Sequence, residues 1–138
     1  MNLVLDDIRA RLLANDAAER ETDHVPAVKF FDPSGAATWL ITEMMPNEPD
    51  ILFGLCDLGL GCPELGYVSL SELQSVKGRL GLGLEQDLYF NPRFPLSVYA
   101  QAASFAGRIV EDDDLLTKAA AALGMQAIRP AEMPPDGS

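Results

Sequence analysis

Residues 50–90 read DILFGLCDLGLGCPELGYVSLSELQSVKGRLGLGLEQDLYF, and the pattern of that stretch decides the fold. Residues 51–56 (ILFGLC) and 65–70 (LGYVSL) are short apolar runs bounded by turn residues, so both predict strands rather than helices. The first is apolar on both faces, the mark of a strand covered from above and below. Gly54 inside it predicts a bulge or a close approach by another element. Residues 58–63 (LGLGCP) form the connection. Ser69 or Ser71 then caps a short helix through Val76, with Glu72 in its first turn and Gly78 stopping it. Residues 80–84 (LGLGL) hold too much glycine for a helix interior and predict a loop packed on the core. Residues 87–90 (DLYF) predict a short last strand, and 91–95 (NPRFP) break the pattern.

Toward the N-terminus, residues 3–14 predict an amphipathic helix with Leu5, Ile8 and Leu12 on one face and Asp6 and Asp7 in the first turn. Polar residues follow, and then 26–31 (PAVKFF), in which Val28 and Phe30 alternate against Lys29 and Phe31 as in a strand. The turn 32–35 (DPSG) joins it to 37–43 (ATWLITE), so the pair predicts a hairpin. Residues 44–49 are a loop. Toward the C-terminus, 96–110 is alanine-rich, with Val98, Ala102, Phe105 and Ile109 at helical spacing. The acidic run 111–114 supplies a cap for a further helix over 115–123, stopped by Gly124. The predicted architecture is α+β. Residues 1–95 make a mainly antiparallel sheet of four to five strands with an N-terminal helix and a short helix near 71–77. A helical C-terminal extension, 96–129, packs on or near this core, and the proline-rich 130–138 is a disordered tail.

The chain has 138 residues, the size of one domain, and 48% of them are hydrophobic. That is ample for a core, since a domain of this length buries roughly 68% of its unfolded surface. No apolar run approaches the ~20 residues of a membrane span, and the N-terminus carries acids where a signal peptide needs bases. A cytoplasmic protein is expected, with Cys56 and Cys62 as free thiols. The formal net charge is -11, and residues 31–75 carry seven acids and no Lys or Arg. Such a surface repels nucleic-acid backbones and anionic membranes, and it attracts a basic protein partner.

Few residues point to chemistry. Glu43, Asp57, Glu64 and Asp87 stand at predicted strand ends or turns, where they would meet if they share one rim. Converging carboxylates raise one another's pKa or bind a hard cation, which suits phosphoester hydrolysis. Their spacing fits no metal motif, and no metal or cofactor is expected. His24, the single histidine, lies in a polar loop and reads as a surface residue. Cys56 and Cys62 do not match a zinc knuckle. Ser69 and Ser71 lack a base and read as helix caps. Gly59, Gly61, Gly81 and Gly83 are not followed by the Lys-Ser/Thr of a phosphate loop. Trp39, Phe30, Tyr67, Tyr89 and Phe90 have no basic stripe to support base stacking and read as core.

Taken in order, VKFF, W-x-x-T-E, FGL, ELGYVSLSEL, LGL and QDLYF form a long series over residues 3–90. In that series the chain resembles the bacterial family catalogued as domain of unknown function 2958. It departs from the pattern at Gln86, where Arg before Asp87 is expected, at Arg79 and Gly83, where prolines are usual, and at Leu5, where Thr would cap the first helix. The resemblance implies a protein of unassigned activity, often carried on mobile elements, with roles in transfer or in countering host defence. The expected function is therefore a non-enzymatic acidic interaction protein, an accessory or anti-defence factor that presents its acidic 43–72 surface to a basic partner, with Glu43, Asp57, Glu64 and Asp87 as the expected binding residues. The alternative is a metal-dependent hydrolase using Glu43, Asp57, Glu64 and Asp87, and a homodimer through the C-terminal helices is a further expectation.

Overall fold

Residues 3–17, 23–78 and 80–124 are described by a computed structural model. Helix α1 (Asp6–Ala17) precedes the strands β1 (Val28–Phe31), β2 (Thr38–Met44), β3 (Ile51–Asp57) and β4 (Glu64–Ser69). Helix α2 (Leu70–Ser75), strand β5 (Glu85–Gln86) and helices α3 (Leu96–Ala106) and α4 (Asp113–Ala122) complete the order. The sheet runs β4-β3-β2-β1-β5 and every pair is antiparallel. The fold is α+β, with helices on both faces of an open sheet.

The β1–β2 hairpin is set by its turn. The Asp32 carboxylate accepts from the Ser34 N–H and hydroxyl, both at 2.9 Å, and Gly35 N–H donates to the Asp32 carbonyl at 3.2 Å. From there Phe30 pairs with Trp39, and Trp39 with Cys56, so side chains alternate in step across three strands. The step changes once. Ile41 faces Gly54, but Glu43 faces Phe53, so Thr42 is the extra residue of a bulge. A Cβ at Gly54 would lie 2.0 Å from the Leu40 carbonyl oxygen, which is the close approach that the glycine predicted.

Alternation splits the apolar residues into two cores. Val28, Phe30, Trp39, Ile41, Met44 and Leu52 face α1 and α2, meeting Ile8, Leu12, Leu70 and Leu73. Leu40 and Leu55 face the other way, into Phe94, Val98, Tyr99 and Ala102 of α3 and its approach and Leu116 and Ala119 of α4. Burying a leucine fully stabilises by roughly 1.5–3 kcal/mol, so this second layer also holds β2 and β3 in place. It explains why residues 51–56 are apolar on both faces.

Several expectations need correction in detail. Leu5 is 56% exposed, because the helix starts at Asp6 and the buried stripe is Val4, Ile8 and Leu12. The last strand is residues 85–86, not 87–90. There the Asp87 carboxylate accepts from Tyr89 N–H at 2.9 Å, a local turn that ends the ladder and leaves Leu88 and Tyr89 in solvent. Helix α3 stops at Gly107 with φ +76°, so Ile109 lies beyond it, and Phe105 points outward at 77% exposure. Asp112, accepting from Asp114 and Leu115 N–H, caps α4 earlier than expected. The expected tail at 130–138 lies outside the described residues. Among those residues no helix is long and apolar enough to cross a membrane.

Candidate functional site

The four candidate carboxylates do not converge. Asp57 ends β3 and is only 2% exposed. Its two oxygens are taken by backbone amides, Gly59 N–H at 2.8 Å and Ile109 N–H at 2.9 Å, which tie the α3–α4 connection to the end of the strand. Glu64 opens β4 one register position away, opposite Cys56, so alternation sends it to the other face of the sheet, where it is exposed. Glu43 lies in the row of Phe53 and Tyr67, four residues back along β3 from the Asp57 position, which is roughly 13 Å. Asp87 follows β5 at the far edge, four strand spacings from β4 and so roughly 19 Å away. Among the described residues no three His, Cys, Asp or Glu side chains are placed to hold a metal ion.

Asp87 instead belongs to a charge cluster at the β1/β5 edge. Lys29 Nζ stands 2.5 Å from Glu111 and 3.3 Å from Asp87, with the Phe31 ring 6.0 Å from it. Burial alone would push the Lys29 ammonium down, but hydrogen bonds and charge from Glu111 and Asp87 outweigh it and raise its pKa above the ordinary 10.5. Arg93 pairs with Asp113 nearby, which carries the same clamp on to α4. Alternation against Val28 and Phe30 hinted that Lys29 turns away from the first core and needs an acid. Nothing local named Glu111, 82 residues on.

Lys29, Cys56, Ser69 and Ser71 are each held in an unreactive form. A catalytic lysine needs a lowered pKa, and that of Lys29 is raised. Burial pushes the Cys56 thiol up to about 11, while Cys62 is exposed, and both are free. Ser69 and Ser71 hydroxyls donate to Asp50 at 2.6 and 3.0 Å, and Ser71 N–H donates at 2.8 Å. These bonds, that from Ser69 first, lower the Asp50 pKa below its usual value and make it a poorer base. Ser69 Oγ also accepts from Glu72 N–H, so Ser69 caps α2, while Ser71 lies in its first turn. His24 is half-buried; its Nε2 lies 2.9 Å from the Asn15 carbonyl, and its own carbonyl accepts from Leu96 N–H.

Two grooves accompany these clusters. One, of about 250 Å³, runs between α3 and α4 and is lined by Ala102, Phe105, Leu115 and Lys118. The other, of about 340 Å³, lies between β4 and α2 and is walled by Trp39, Val68, Leu73 and Val76, with Tyr67 and Glu72 also lining it.

The chain belongs to the family described as "Protein of unknown function (DUF2958)", whose model matches residues 3–110. The match runs past residue 90, through α3, and takes in Ile109, the partner of Asp57. No curated protein and no solved structure matches the chain.

Proposed function

We propose that this protein is a non-enzymatic interaction protein that presents the acidic β3–β4–α2 side of its sheet to a basic protein partner. The observation that carries this reading is the make-up of that side. Glu48, Glu64 and Glu72 are exposed there, and no Lys or Arg occurs in residues 31–75. Leu58, Leu65 and Tyr67 are exposed in the same segment, so charge steers a partner and apolar contact retains it. An accessory or anti-defence role on a mobile element is part of the same proposal, and the identity of the partner decides it. The hydrolase reading finds less support, because it needs Glu43, Asp57, Glu64 and Asp87 at one place and they occupy different faces and edges.

The test is capture of the partner from the native host on immobilised protein, compared with the triple variant Glu48→Lys, Glu64→Lys, Glu72→Lys. These three side chains are exposed, so their reversal spares the core. Capture that weakens about tenfold or more between low and about 0.5 M salt, and is lost in the variant, is the expected result. Equal capture by both proteins refutes the reading.

A further inference from the structure

We propose that the outer edge of β4 is a docking strand that takes an extended basic segment of the partner as an added strand. Alternate apolar side chains of that segment would seat in the groove between β4 and α2. The inference rests on the acidic-surface reading above and gives it a geometry.

Strand β4 ends the sheet. On one side it pairs with β3, from Ile51 opposite Ser69 to Cys56 opposite Glu64, and among the described residues no strand lies on its other side. An end strand presents a row of unpaired N–H and C=O groups, and native sheets guard such rows with lysine, proline, a bulge or a very short strand. Strand β4 has none of these over its six residues, ELGYVS. Its side chains favour a visitor on both faces. Leu65 and Tyr67, the latter 67% exposed, line one face, and Phe53 supports Tyr67 with ring centroids 5.0 Å apart. On the other face an added Cβ at Gly66 would meet nothing within 4 Å, and Val68 opens into the groove walled by Trp39, Leu73 and Val76. Main-chain pairing plus pockets for alternate side chains is the chemistry of strand addition.

Charge selects the occupant. Glu64 stands at one end of the edge, and Asp50 and Glu72 stand at the other, around Ser69. A second copy paired antiparallel across this edge would set Glu64 of each chain against the Asp50 and Glu72 end of its partner, acid against acid. A segment alternating lysine or arginine with β-branched residues meets those acids with the opposite charge while its apolar side chains fill the groove.

A short end-blocked peptide alternating Lys and Val is the probe, compared with the same peptide N-methylated at alternate residues. The two share charge and side chains, but the second lacks the donors along one edge. The expected result is that the plain peptide binds at least about tenfold more tightly than the methylated one and slows exchange of the outward-facing amides of Leu65, Tyr67 and Ser69 about tenfold. Equal affinity of the two peptides would overturn strand docking while leaving the acidic-surface reading in place. Failure of both to bind at low salt would overturn both. Outward-facing amides of Leu65, Tyr67 and Ser69 already protected in the free protein overturn it too: protection lost on dilution assigns the edge to a second copy, and protection kept on dilution assigns it to this chain.

Discussion

Strands β4 and β5 close the two ends of one sheet, and they close them in opposite ways. Strand β5 has two residues, and its successor Asp87 both folds the chain away and joins Lys29 and Glu111 in an ion-pair cluster. Strand β4 has six residues, exposed apolar side chains and a groove beside it, with its acids at the two ends. An edge that needs only to stay out of trouble can be short and charged. An edge left long, apolar and open is a structural cost unless something pairs with it. On the proposed reading, binding belongs to the β4 side of the molecule and reinforcement to the β5 side.

The sharpest way to break the contrast is at two glycines that face each other. Gly54→Ala puts a Cβ where the Leu40 carbonyl already sits, forcing β2 and β3 apart, and should cost about 3 kcal/mol or more. Its neighbour Gly66 lies one strand further out, where the same methyl meets open space, so Gly66→Ala should leave stability unchanged or raise it by about 0.5 kcal/mol. Urea midpoints measure both, and equal losses would mean that the β4 edge is not open.

Next comes the buried carboxylate at the end of β3. Asp57→Ala leaves Gly59 and Ile109 N–H groups without their acceptor and should cost about 2 kcal/mol. Asp57→Asn keeps one accepting oxygen and should cost about half as much. A neutral Asp57→Ala would show that solvent satisfies those amides.

The β5 edge gives a small effect, and the one with a pH signature. Lys29→Met should cost about 1 kcal/mol near neutral pH, since Asp87 and Glu111 are partly solvated. The folded pKa of Lys29 lies above its ordinary 10.5, so its stabilisation is fully present below that value and is lost as pH rises through the folded one. The gap between wild type and variant should hold up to about pH 10 and close above it. A gap that persists through strong alkali would assign the loss to packing rather than charge.

The strands were legible because their signals are local: VKFF, the DPSG turn, TWLITE and ILFGLC each announce themselves within a few residues. Gly54 carried its own reason in its type. The ion pairs were not, since Lys29 and Glu111 stand at opposite ends of the chain and any acid would have served equally well on paper. Glu43 and Asp87 stand away from the other two by distance, but Asp57 and Glu64 failed to meet for a reason of parity. Asp57 and Glu64 sit on neighbouring strands, yet one register step puts them on opposite faces, and that step is fixed only when β3 and β4 are paired. DLYF misled because its aromatics favour a strand, whereas Asp87 favours its own backbone and turns the chain first.

The bond from Ile109 N–H to Asp57 has a practical meaning for anyone dividing this protein. A chain stopped at residue 90 would keep every strand and still lack the lid of its second core, with Leu40, Leu55 and a buried carboxylate laid open to water. Any division must therefore fall beyond Val110, where the family match ends, and α4, whose Leu116 and Ala119 also fill the second core, belongs with the rest.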